Sequence, residues 1–427
     1  MNNDEVTRYA EFCQFRKEIR HSGAYLIVGI DVAKDPHHAF FGNAFGRTLL
    51  RRLIFENNAA GYQRLLERAE QLQRQHGLSR VVYGLEATGN YHKPLSNWLL
   101  KQGQQLVLAS NNAVAENRKT LDGRWDKNDT KDSANVADLI AQAKCQFFEW
   151  PQADLTAIRS LLALRQRLKK DEHAVRMQIR NGLVTKYFPE LDRHWGTCLE
   201  ENLAIVRWCL DPAQIASMPF EDFVKRVTRR DRGLRQLRRL KSIWQKAAVS
   251  VGCPVDAATR FEARMLVERL QDLRERIEQT GMQIEQTCRG FSSYRLLLSI
   301  PGFGPYVAAL VLARIGDPQR FAGRKQVIRL AGYDLNAKRS GRRSNDAVPV
   351  ISKRGNAELR YGLYQAALIA SYRNDRFRQL FTRYLQGREQ ERGIRTKMRV
   401  KLAVKMLVIA WTMMKDQTVF DSSLLQV

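Results

Sequence analysis

Two carboxylates in this chain stand where apolar strands end. The stretch YLIVGID carries the strand-forming residues Tyr25, Leu26, Ile27, Val28 and Ile30 and stops on Asp31, and RVVYGLE stops in the same way on Glu86. A carboxylate at such a position loses hydration and keeps its charge only when it is paired or holds a metal. A helix cap would account for either acid alone, but it accounts poorly for both on neighbouring buried strands. A third stretch, WDKNDTKDSANVADLI, adds Asp126, Asp129, Asp132 and Asp138. On a helix, residues three apart lie roughly 60° from one another. The spacing therefore fits the pair Asp126/Asp129 and the pair Asp129/Asp132 equally well, with the remaining acids solvated or capping a helix. Four converging carboxylates make a hard, all-oxygen site suited to two Mg²⁺ or Mn²⁺ ions about 4 Å apart, which would stabilise the attacking and leaving oxygens of a phosphodiester reaction.

The elements that must hold these acids can be read from periodicity. The strand at 25–30 leads into HHAFFGNAF and TLLRRLIFE, which read as a hairpin pair. An amphipathic helix follows over 59–75. RVVYGLEATG is a second buried strand, and QQLVLAS is a third after the helical KPLSNWLLKQG. Three antiparallel strands followed by alternating helix and strand is the order of an α/β ribonuclease-H-like sheet. Residues 155–186 and 258–288 are long charged helices. In the second, Leu266, Leu270, Leu273, Ile277 and Ile284 form the seam of a short coiled coil, open to pairing within the chain or between chains. From about residue 292, LLLSIPGFGPYVAALVLARIGD reads helix, glycine turn, helix. In such a helix-hairpin-helix-like element, Gly302 and Gly304 would let backbone N–H groups approach a phosphate. The expected organisation is a catalytic α/β domain over 1–150, a helical coiled-coil region over 151–290 and a mostly α domain over 291–427.

Charge points to the partner. The chain of 427 residues has a formal net charge of +27, spread unevenly. Residues 1–150 hold 20 Lys and Arg against 17 Asp and Glu, whereas 291–427 hold 25 against nine. Such an excess implies a polyanion, with nucleic acid first. The segment KRVTRRDRGLRQLRRLK, with nine basic residues in 17, supplies Arg229, Arg230, Arg238 and Arg239 as candidate contacts. The loop KRSGRRSNDAVPVISKRGN adds Arg342, Arg343, Lys353 and Arg354. No apolar run approaches the ~20 residues of a membrane span, and the N-terminus lacks a signal-peptide core. Cys13, Cys145, Cys198, Cys209, Cys253 and Cys288 lie far apart with no metal-ligand spacing. They read as free thiols of a cytoplasmic protein.

The motifs GIDVAK (29–34), GLEATGNY (84–91), KNDTKDSANVADLI (127–140), SIPGFGPYVAALVLARIGDPQRF (299–321), AGYDLNAKRSG (331–341) and ISKRGNAELR (351–360) occur in one order. Together they resemble the DEDD transposases of the Piv/MooV type, insertion-sequence recombinases with a RuvC-like N-terminal domain and a serine-bearing C-terminal domain. The resemblance assigns the acidic tetrad to Asp31, Glu86, Asp129 and Asp132, and the family's nucleophilic serine to Ser340, among Lys338, Arg339, Arg342 and Arg343. Ser133 stands where relatives more usually have Ala. The resemblance also implies donor and target DNA as partners and a structured guide RNA encoded by the element. It implies work at the prokaryotic nucleoid by homodimers or homotetramers, in which the acids of one subunit meet the serine of another. Two other readings compete. A RuvC-like nuclease resolving Holliday junctions would use the same acids with water and form no protein–DNA adduct. A non-catalytic nucleic-acid scaffold would tolerate Asp31→Asn.

Overall fold

The computed structural model describes residues 3–86, 89–121, 129–150, 153–197, 200–208, 210–230, 233–336 and 350–425. The chain divides into two compact units, Met1–Gln152 and Ala153–Val427. In the first, helix α1 (Asn3–Glu18) precedes strands β1 (Tyr25–Asp31), β2 (His37–Asn43) and β3 (Thr48–Phe55). Then come α2 (Ala59–Gln75), β4 (Arg80–Glu86), α3 (His92–Lys101), β5 (Gln105–Ala109), α4 (Asn111–Leu121), α5 (Asp129–Ala141) and the short β6 (Gln146–Phe147). The six strands form one mixed sheet in the order β3-β2-β1-β4-β5-β6. β1 runs antiparallel to β2 and parallel to β4, and β4 runs parallel to β5.

β1 is apolar throughout because helices cover both of its faces. Leu26, Val28 and Ile30 point with Tyr83 and Leu85 into a core closed by Leu65 and Leu66 of α2 and by Leu95 and Leu99 of α3. Tyr25 and Ile27 point with Val82 and Val107 to the opposite face, against Phe12 and Phe15 of α1 and Val136 and Ile140 of α5. The start of α2 is set by Asn58, whose side chain accepts from Gly61 N at 2.8 Å, a favourable cap. Its buried residues Tyr62, Leu65, Leu66, Ala69 and Leu72 make the expected stripe.

The second unit has two apolar cores. One gathers the helices Pro305–Ile315, Ala357–Arg373, Asp375–Leu385 and Ile394–Asp416 around residues such as Leu310, Leu363 and Leu407. The other includes Trp195, Phe223 and Leu240. The long helices α6 (Ala153–Gln178) and Ala257–Cys288 contribute to both: Ile158, Leu162 and Ile284 to the first, Val175, Val267 and Leu270 to the second. Leu270, Leu273, Ile277 and Ile284 of the expected seam are buried within this chain, and Leu266 is half-buried. The helix starts at Asp256, whose carboxylate accepts from Thr259 N at 2.7 Å. None of the described helices is long and apolar enough to cross a membrane.

On β2, His37 is wholly buried, 5.2 Å edge-on from Phe55, and burial holds its imidazole below the ordinary 6.5. A depressed histidine stabilises the fold above its unfolded pKa and withdraws that contribution as pH falls below it. Stability of the first unit should therefore drop as pH falls below about 6.5. His37→Phe should shrink the drop measured by urea unfolding at pH 7.5 and 5.5. An equal drop in both proteins would assign the acid sensitivity to other groups.

Candidate active site

Asp31 and Glu86 are the last residues of β1 and β4. The register of these parallel strands runs Tyr25↔Arg80 to Ile30↔Leu85, so the two acids stand level at the next step. Neighbouring strands lie about 4.8 Å apart. Side-chain alternation puts both acids on the face of Ile27 and Val82, the face that α5 covers.

What allows α5 so close is a pair of glycines, each two residues before an acid. A Cβ at Gly29 would collide with the Ser133 carbonyl oxygen and the Ala137 backbone, and one at Gly84 would collide with Ile140. Neither glycine takes a left-handed conformation. They are needed for space, because any side chain would push the helix off the sheet. As a result Ser133 and Ala137 of α5 press on β1 two residues before Asp31, and Ile140 on β4 two residues before Glu86. Asp132 is 2% exposed and Ser133 1%.

The burial of Asp132 is offset by α4. Arg118 Nη2 lies 2.7 Å from Asp132 Oδ1, the two side chains being 29% and 3% exposed. The distance is that of an ion pair, yet the angles fall short of a hydrogen bond, so Oδ1 has no hydrogen-bond donor among the described residues. Asp138, by contrast, accepts from Asn117 Nδ2 at 2.8 Å and Gln142 Nε2 at 2.7 Å. Asn135 donates to the Val114 carbonyl and accepts from Asn117. Asp138 thus belongs to the amide network that ties α4 to α5.

Asp129 opens α5, and its side chain lies outside the described residues, as does the whole of Asp126. Among the described residues no three His, Cys, Asp or Glu side chains form a metal cage. The donors that are described fit a divalent cation chemically: all are carboxylates, and buried Asp132 keeps an oxygen without a hydrogen bond. Burial pushes Cys145 up to about 11 and Cys288 to about 12, which leaves both protonated and inert.

Ser340, Arg342 and Arg343 lie outside the described residues. The strands flanking that segment, β7 (Leu335–Asn336) and β8 (Val350–Ile351), pair antiparallel. Just beyond β8, Lys353 and Arg354 are exposed, and Lys353 N donates to the Gly332 carbonyl at 3.0 Å. Gly304 caps the helix Pro305–Ile315 with open space at its Cα. Gly302 has φ +89° and packs where a Cβ would strike the Ala366 carbonyl, so helix packing by itself requires a glycine there. Arg229, Arg230 and Arg238 are exposed. Arg239 instead reaches inward to Glu201, 3.0 Å away and 3% exposed, which also accepts from Gln236 at 2.5 Å. Its guanidinium is committed to the fold. Sequence reasoning passed over Arg118, because nothing in ENRKT marks one cation as the partner of an acid 14 positions on.

Two stretches of the chain match family models, the first running past the boundary between the two units. Residues 28–189 match a family model of IS110-type DEDD transposases, and residues 294–382 match the model of the transposase IS116/IS110/IS902 family. The chain is 25% identical over 400 residues to the 44.8 kDa protein of insertion element IS116 of Streptomyces clavuligerus, covering 92% of this chain and 95% of the relative. It is 22% identical to the transposase for insertion sequence element IS1111A of Coxiella burnetii, covering 97% and 96%. It is 21% identical to the pilin gene-inverting protein of Moraxella bovis, covering 92% and 97%.

Removing Arg118 should leave a buried, unpaired carboxylate. In metal-free buffer Arg118→Met is expected to destabilise the protein by on the order of 3 kcal/mol. Asp132→Asn in the same chain should recover most of that, giving a coupling energy in a double-mutant cycle. Additive effects would show that the two groups do not interact.

Proposed function

The chain belongs to the IS110/IS116/IS902 transposase family, and from that membership we propose that it moves its insertion sequence by metal-dependent cleavage and rejoining of DNA through Ser340. The observation that carries the reading is the level ending of β1 and β4 on Asp31 and Glu86, on the sheet face covered by α5, the helix on which Asp132 is buried. The strand order β3-β2-β1-β4-β5, antiparallel in its first three members, supports a ribonuclease-H-like (RuvC-like) catalytic domain.

Asp31, Glu86, Asp129 and Asp132 would hold Mg²⁺ or Mn²⁺, in a pair. The cation supplies Lewis-acid stabilisation of charge developing on phosphate oxygens. The carboxylates fix its position, and the glycine-tight packing of α5 keeps them from drifting apart. Arg118 holds Asp132 in place through their 2.7 Å contact. A serine hydroxyl is a weak nucleophile that needs activation, and its neighbours Lys338, Arg339, Arg342 and Arg343 suit it to an anionic phosphodiester. Its Oγ bonds to phosphorus while a deoxyribose oxygen leaves and takes up a proton, the hydroxyl proton going to solvent. The phosphoserine link conserves the ester for rejoining, which recombination requires and hydrolysis does not.

Donor and target DNA are the substrates, and a structured RNA encoded by the element guides pairing. The protein acts at the nucleoid as a homodimer or homotetramer. Arg229, Arg230, Arg238, Arg342, Arg343, Lys353, Arg354 and the Gly304 turn contact nucleic acid, a role in keeping with the charge surplus of the second unit.

Changing Asp31, Glu86, Asp129 or Asp132 to its amide should abolish strand exchange with the fold intact. Mg²⁺ should raise the unfolding midpoint of the unaltered protein and not that of Asp31→Asn, since only a state that binds the ion is stabilised by it. Full strand exchange by Asp129→Asn would overturn the metal assignment.

Ser340→Ala should bind DNA normally, yet trap no covalent protein–DNA adduct on denaturing gels and recombine nothing. Adducts formed by Ser340→Ala would remove the serine from the mechanism. Strand cutting by the unaltered protein without any adduct would favour the junction-resolving nuclease.

A further inference from the structure

The second unit contains a cleft of about 820 Å³ where the helices Glu200–Trp208, Phe220–Val227 and Ala257–Cys288 meet. Six arginines line it: Arg207, Arg226, Arg229, Arg260, Arg264 and Arg274, against one lining carboxylate, Glu200. Three of the six are held by acids. Arg207 pairs with Glu268 at 3.0 Å, Arg260 with Asp211 at 3.1 Å and Arg274 with Glu172 at 3.5 Å. The others are exposed, and among the described residues no carboxylate pairs with Arg226, Arg229 or Arg264. Trp208 lies in the cleft wall, 36% exposed, with the Arg226 guanidinium 4.1 Å above its ring.

We infer that this cleft binds an unpaired nucleotide of a polynucleotide, its base stacked on the Trp208–Arg226 pair and its phosphates on Arg229 and Arg264. Like cations crowded into one concavity repel each other unless an anion joins them. A flat indole and a planar guanidinium in contact form a stacking platform for a base, and unstacked bases are held on such planes. The cleft lies within the roughly 300–1,000 Å³ range of small-ligand sites, too small to admit a duplex. The paired arginines are fixed by their acids, which keeps the walls in place and leaves the unpaired ones for the ligand. The inference rests on the reading of the chain as a nucleic-acid enzyme only in choosing a polynucleotide over other polyanions.

The test uses the full chain and fluorescence anisotropy with labelled 12-mers of oligo(U) and oligo(dT), an abasic 12-mer and a 12-bp DNA duplex. Trp208→Leu should weaken binding of the single strands by about tenfold, leave the duplex unchanged and leave little difference between oligo(dT) and the abasic strand. Trp208→Phe should restore most of the loss. Arg229→Gln with Arg264→Gln should lower the salt slope for single strands by about 1.4. The oligo(U) and oligo(dT) arms show whether the site prefers RNA or DNA, and either preference fits. Equal affinities of Trp208→Leu and the unaltered chain for single strands would overturn the inference. So would an abasic strand bound as tightly as oligo(dT) by the unaltered chain. Neither result touches the strand-transfer reading, because Asp31 and Ser340 are tested on adduct formation in a separate assay.

Discussion

The arrangement of the first unit around Asp31, Glu86 and Asp132 depends on how closely α5 can lie on the sheet. Gly29 and Gly84 stand opposite Ser133, Ala137 and Ile140, and each position is filled by helix atoms where a Cβ would be. Because interiors are packed at crystal-like density, that separation leaves no slack. A helix displaced by even one methyl group would loosen the packing that buries Asp132 and Ser133. The same two strands carry Asp31 and Glu86 two residues further on, so the close contact of α5 with the sheet lies next to both acids.

Closeness brings an electrostatic problem. Level carboxylates on adjacent strands repel one another, and Asp132 is buried on α5 where charge is screened poorly. The structure answers with Arg118 on α4 and with the amide network of Asn117, Asn135, Asp138 and Gln142 that fixes α4 against α5. The Arg118 guanidinium is partly exposed while its partner is not, so the positive charge approaches the site from the solvent side.

In the second unit the surplus of arginine is used in two ways. Some guanidinium groups support the fold: Arg239 neutralises buried Glu201, Arg314 pairs with Glu358 at 2.9 Å, and Arg159 donates to the Ala313 carbonyl. Others face solvent without a described acid. A basic run in sequence does not distinguish the two, since the difference depends on whether a carboxylate from a distant segment lies within reach.

The placing of Asp31 and Glu86 at the ends of paired strands was legible from residue order alone. An apolar run that ends on a charge has one economical place, the end of a buried strand, and two such runs that pair bring two acids together. The strand pattern, the α2 stripe and the apolar face of Ala257–Cys288 followed from periodicity for the same reason: repeat length decides which residues share a face. Faces do not choose their partners. Only the tertiary structure bound Asp138 into an amide network while burying Asp132 against Arg118. It also turned the leucine seam onto α6 of the same chain, engaged Arg239 with Glu201, and gave Gly302 a packing reason beside any phosphate. Each of these is a contact between segments far apart along the chain, decided by which groups reach one another once the cores have closed.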